Sequence, residues 1–141
     1  MVHSFQLGLL SLAGLISVFF GLRYFRAKEF MPYHAVVAGR SWREMEPGLQ
    51  AIILGMLKII GGGFTSYGLA LFWMLVPLGQ GQRWAGWAVL TLTVAALVPT
   101  LYVTIALRRV APQARTPIVP AVLVLVLALA GGGLSFLVST A

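Results

Sequence analysis

Four long apolar runs alternate with short polar segments along the chain, at about 5–25, 49–78, 84–107 and 118–139. A helix needs about 20 predominantly apolar residues to cross the hydrocarbon layer of a bilayer, and each run is that long. Strands of a membrane barrel would be about 10 residues with strict alternation, which these runs lack. The pattern predicts an all-α fold: an integral membrane four-helix bundle forming one domain over 1–141, with neighbouring spans antiparallel because their connections are short.

Small residues recur inside the runs. Ala13, Ser17 and Gly21 are four apart, which puts them on one face of the first span, where a neighbouring helix can approach closely. Gly62, Ser66 and Ala70 repeat the device in the second span. Glycine triplets occur at 61–63 and 131–133, each 13 residues after Gly48 and Ile118 respectively. At 1.5 Å per residue both lie about 20 Å from the start of their helices, which predicts a close contact of spans two and four through Gly62, Gly131 and Gly132. A tandem duplication of two hairpins is a further reading, although the loop lengths differ. The third span contains Pro99 with Thr93, Thr100 and Thr104 nearly on one face. These threonines either satisfy backbone carbonyls around the proline or form a polar line along a pathway. Thr116 and Pro117 read as the N-cap and first residue of the last helix.

Lys58 interrupts the second run. Counted from Gly48 it lies about 15 Å into the helix, near the midplane, where a charge is costly and marks a functional site. Counted back from Pro77 and Leu78 it lies at the inner edge, where its ammonium snorkels to water and headgroups. Trp73 near the far end favours the second register. Lys58, Gly61, Gly62 and Tyr67 are the candidate ligand- or lipid-binding residues.

The polar segments set the orientation. Arg23, Arg26, Lys28, Arg40 and Arg43 lie on the first loop and Arg108, Arg109 and Arg115 on the third, against Arg83 alone on the second. Basic loops stay in the cytoplasm, so both termini are expected outside, in a multi-pass protein of the inner (plasma) membrane. The positive charge follows the first apolar run, which marks an uncleaved span instead of a removed signal. Trp73, Trp84 and Trp87 gather near the second loop, as an aromatic belt would. The same loops account for a net charge of +7, so no nucleic-acid partner is expected.

The first loop holds all three acids, Glu29, Glu44 and Glu46, with His34, Tyr33 and Trp42. Within it "SWRE" fits a capping box, Ser41 as N-cap and Glu44 at N3, with a helical turn ending at Pro47, and "AVVAG" suits the membrane surface. His34, Glu29 and Glu46 are weak metal candidates, because their spacing matches no compact ligand motif. Cysteine is absent, which removes thiolate chemistry and disulfides. No nucleophile–histidine–acid pattern, phosphate loop or dinucleotide fingerprint is present. No catalytic residue, metal or cofactor is therefore assigned.

The stretch "MPYHAVVAGRSWREMEPGLQAIILGMLKIIGGGFTSYGLAL", residues 31–71, resembles small bacterial four-span membrane proteins of unknown function. More loosely, the four-span layout resembles the DoxX-like group. That resemblance implies an accessory subunit of a membrane complex, or a small hydrophobic ligand of lipid or quinone type. The favoured function is a non-enzymatic membrane protein that binds such a ligand or a partner protein, with membrane lipids and a second copy also among its partners. Two alternatives stay open. One is a small transporter or channel using Lys58 and the span hydroxyls; the other is a membrane enzyme with a cytoplasmic-face site around His34.

Overall fold

The computed structural model describes residues 1–137. These contain five α-helices and no strand: α1 (Val2–Phe25), α2 (Pro32–Ala38), α3 (Pro47–Gly79), α4 (Arg83–Val110) and α5 (Ile118–Leu134). The four apolar runs correspond to α1, α3, α4 and α5. The helix beyond the expected four is α2, seven residues of the first loop. Helices α1, α3 and α4 are long and apolar enough to cross a membrane, whereas α5 is an apolar helix of 17 residues. Residues 138 and 139 of the expected fourth span lie outside the described residues.

The boundaries follow local chemistry. Proline opens α2 and α3, where a missing N–H costs nothing. Gly39 ends α2 at φ +63°, and Gly81 turns the chain between α3 and α4 at φ +74°, both in the left-handed region that suits glycine. The "SWRE" box forms as expected, with the Ser41 N–H donating to Glu44 Oε2 at 2.8 Å around a 3-10 turn, Trp42–Glu44. Thr116 does not cap α5. Pro117 occupies that position, and the Thr116 hydroxyl is buried without a partner. The last turn of α5 tightens at its glycines, where both the N–H and the hydroxyl of Ser135 donate to Gly132 O.

The four longer helices pack as a ring in which α1 touches α3 and α5, and α4 closes the ring by touching α5 and, more narrowly, α3. The closest approach is α1 on α3. A Cβ at Gly21 would strike Thr65 N and Gly61 O, and one at Gly68 would strike Gly14 O and Val18. A Cβ at Gly61 would meet Phe25 N and Gly21 O. Ala13 and Ser17 are buried on the same α1 face, with the Ser17 hydroxyl donating to Ala13 O at 2.8 Å. The first small-residue stripe is thus a packing face.

The second stripe lies one residue off the contact. Gly62 has open space where a side chain would be, Ser66 is exposed and Ala70 only half-buried. The α3 face that meets α1 is Gly61, Thr65 and Gly68. The expected contact of the two glycine triplets is also replaced. Gly61 packs on α1 near Gly21 and Phe25, whereas Gly131 packs on α1 near Gln6 and Leu10, and Gly132 on Val89 and Leu90 of α4. The triplets sit toward opposite ends of α1 because α3 begins well before the bundle does. Its 33 residues span ~50 Å against ~36 Å for the 24 of α1. The overhanging first turns of α3 bury Leu57 against Tyr24, Phe30 and Met31, so the first loop is held to the bundle by a small core of its own.

Two buried polar contacts fix the register. Gln6 Nε2 donates to Gly131 O at 3.1 Å, tying α1 to α5, and Tyr67 OH shares a 2.9 Å hydrogen bond with Thr93 Oγ1, tying α3 to α4. The main core, including Leu10, Leu71, Val89 and Leu97, fills the space between them.

Adjacent glycines therefore have opposite tolerance. Gly61→Ala is expected to lower unfolding stability in detergent by about 1–3 kcal/mol, since backbone atoms of α1 must shift. Gly62→Ala, with nothing nearby, should be neutral or slightly stabilising through helix propensity. Parallel denaturation curves of the two variants check this.

Candidate functional site

The residues singled out from sequence do not converge. Lys58 Nζ donates to Phe25 O at 3.2 Å and stands 5.4 Å from the Phe25 ring centroid. It is level with the last residue of α1, and it satisfies one of the carbonyls left open at that helix end. Gly61 is occupied by the α1 backbone, and Gly62 and Gly63 have open space where a side chain would be, so α5 does not pack against them. Tyr67 is buried in its bond to Thr93. Among the described residues no group of three His, Asp or Glu could hold a metal, so His34, Glu29 and Glu46 do not form a ligand set.

What the fold does form is a half-open chamber of about 290 Å³ between α1, α3, α4 and α5, with Tyr33 and His34 of α2 at one end. Its walls include Ile16 and Phe20 of α1, Phe64 of α3, Val103 and Leu107 of α4 and Val124 of α5. Small and proline residues leave the room. Ala121, Pro117 and Pro120 line it from the first turns of α5, and Pro99 lines it from the middle of α4. An apolar cavity of about 150 Å³ already admits benzene, so this one has space for a ring with substituents or several carbons of a chain.

The polar groups of the chamber are few. Ser17, Thr100 and Thr104 line it, but each donates to a carbonyl of its own helix. The two threonines thus take the backbone-satisfying role near Pro99, while Thr93 bonds Tyr67 instead. Lys58 is not among the lining residues. At the α2 end stand Tyr24, Tyr33 and His34. The two phenols share a 2.7 Å hydrogen bond. His34 Nδ1 accepts from Met31 N–H at 3.2 Å, which completes the cap of α2.

Burial, and then the neighbouring Tyr24, pushes the Tyr33 phenol well above its ordinary range, so it stays protonated at physiological pH. Burial pulls His34 below its ordinary 6.5, so the ring is neutral there. Phe30 packs at right angles to both His34 and Trp42, and Tyr33 against His34 at 4.1 Å between ring centres. These contacts join the polar end to the small core under the first loop.

Sequence reasoning had Tyr33 and His34 within an unusual loop but no reason to bring them under the bundle. The available signal was the "MPYH" start itself, with proline after an extended residue and a histidine three positions after the cap. Compared with models of known protein families, with curated proteins and with solved structures, the chain matches none.

The cap on α2 carries a pH dependence. The folded state holds His34 below 6.5, so as pH falls the unfolded segment takes up a proton first and stability is lost. Protonation also turns Nδ1 from acceptor to donor and breaks its bond with Met31. By NMR, the His34 ring should titrate below 6.5 and protection of the Met31 amide should fall through the same midpoint. His34→Phe should remove that dependence.

Proposed function

We propose that the protein is a four-span integral membrane protein that holds a small hydrophobic ligand, of lipid or quinone type, in the chamber beneath α2. Its role is non-catalytic, as a carrier or accessory subunit. The chamber is the observation that carries this reading. It is lined mostly by apolar side chains, with its few polar groups gathered at one end, as in sites for small apolar molecules.

The membrane setting rests on the lengths of α1, α3 and α4 and on what their outer faces present. Phe5, Leu15 and Phe19 of α1, Ile52, Ile59 and Trp73 of α3, and Val94 and Val98 of α4 are all exposed. Water-soluble monomers rarely carry apolar surface on that scale. The distribution of Lys and Arg supports termini outside and the first and third loops in the cytoplasm of a bacterial cell. In that orientation α2 and the polar end of the chamber lie at the cytoplasmic side, as does the exposed edge lysine, Lys58.

Because the chain has no cysteine, single-cysteine variants read the orientation directly. A membrane-impermeant thiol reagent added to intact cells is expected to label Gln82→Cys at once and Gln113→Cys only after permeabilisation.

Filling the chamber tests the ligand. Ala121→Phe should abolish co-purification of the molecule recovered by lipid extraction and mass spectrometry from wild-type protein in mild detergent. Val119→Phe, on the exposed face of the same helix, should leave it unchanged. Equal recovery from both variants would refute chamber binding.

A further inference from the structure

The hydrogen-bond state of each group in the chamber sets what kind of molecule it selects. This inference rests on the chamber being a ligand site. The hydroxyl protons of Ser17, Thr100 and Thr104 are engaged with the carbonyls of Ala13, Ala96 and Thr100. These three groups can offer a ligand only lone pairs. The Tyr24–Tyr33 pair contains two phenolic protons, and the bond between the oxygens uses one. The other is free whichever oxygen donates. In His34 the Met31 N–H occupies Nδ1, so the proton of the neutral ring is on Nε2, which has no partner among the described residues. The free polar hydrogens of the lining side chains are therefore one phenolic O–H and one imidazole N–H. Both come from the cluster at the α2 end. No Lys, Arg, Asp or Glu lines the chamber.

We infer that the chamber selects a neutral lipid-like molecule bearing a carbonyl-type acceptor (a ketone, ester or quinone oxygen), which binds with its oxygen at the Tyr24–Tyr33–His34 end and its apolar body among Phe20, Phe64 and Val124. No cation lines the chamber, and Arg23, the one positive charge acting on the Tyr24 end, does so from outside the lining, so a carboxylate or phosphate head would be buried without a direct ion-pair partner, which is expensive. A pure hydrocarbon fits the walls but engages neither donor, and so forgoes the hydrogen bonds that a carbonyl oxygen would accept.

The test uses three C12 probes of similar length: carbonyl-¹³C-labelled 2-dodecanone, dodecane and dodecanoate. Each is equilibrated with the full-length protein in mild detergent at neutral pH, and retention is counted by native mass spectrometry. The ketone is expected to be held about tenfold better than either competitor. Its labelled carbonyl stretch should move to lower infrared frequency on binding. Replacing the donors together, with Tyr24→Phe, Tyr33→Phe and His34→Phe, should bring the ketone down to the level of dodecane and remove the frequency shift. Should that triple variant not fold, the wild-type ranking alone decides. Dodecane or dodecanoate held as well as the ketone, with retention still lost in Ala121→Phe, would overturn the selectivity and leave chamber binding intact. Retention of all three probes undiminished in Ala121→Phe would overturn chamber binding and the selectivity with it.

Discussion

The near-contact of two backbones, α1 against α3, is the constraint from which the rest of the architecture follows. Gly21 on one helix and Gly61 and Gly68 on the other leave no room for a Cβ, and one at Gly14 would press tightly on Phe72 and Gly68 O. Inside a bilayer the hydrophobic effect does not drive helices together, and such close surfaces supply dispersion contacts instead. Two helices joined this way form a tight pair over roughly half of α1. The remaining helices then have to fit around a fixed axis, with α5 seated on the other flank of α1 and α4 reaching α3 through little more than the Tyr67–Thr93 bond and its surroundings.

The chamber is the counterpart of that tight seam. Where α1 and α3 meet through glycine, no volume is left. Where α4 and α5 present proline and alanine toward the α2 end, the side chains are too short to fill the gap. The polar end is then supplied by the first loop, which the overhanging turns of α3 hold in place through Leu57, Phe30 and Met31. A helix that looks too long for its neighbours thereby acquires a use: its extra turns form the platform for the residues at the polar end of the cavity.

The four apolar helices were legible in the sequence because hydrophobic length is a strong signal, and so was the α1 packing face, Ala13–Ser17–Gly21, whereas the fifth helix, α2, and the early end of α5 were not. The α3 face was misread by one position. In a run with three consecutive glycines, periodicity alone cannot decide which of them meets the neighbour, and a shift of one residue rotates a helix face by about 100°. The supposed meeting of the two triplets failed for a different reason: counting from the start of each run assumes that helices begin at the same level, and α3 does not. The capping box at Ser41 was legible because it is local. The chamber was not, because it arises from the spacing of helices far apart in sequence, and no run of residues encodes a void. Lys58 illustrates the middle case. Both of its registers were visible in the sequence, and its hydrogen bond to Phe25 O places it beside the end of α1.

Helix α5 has a consequence for the bilayer itself. Its 17 α-helical residues reach about 26 Å and the tight turns over Ser135–Leu137 add ~6 Å, which only just matches a typical hydrocarbon layer, while its partners exceed that thickness. Were the bundle in a bilayer, lipids beside α5 would face a shorter apolar wall than those beside α3 and α4, with mismatch costing fractions of a kcal/mol per ångström. In the proposed setting, the membrane is then thinner on one flank of the protein than on the others. A bilayer that suits that flank leaves the longer helices to tilt, so no single thickness matches the whole circumference.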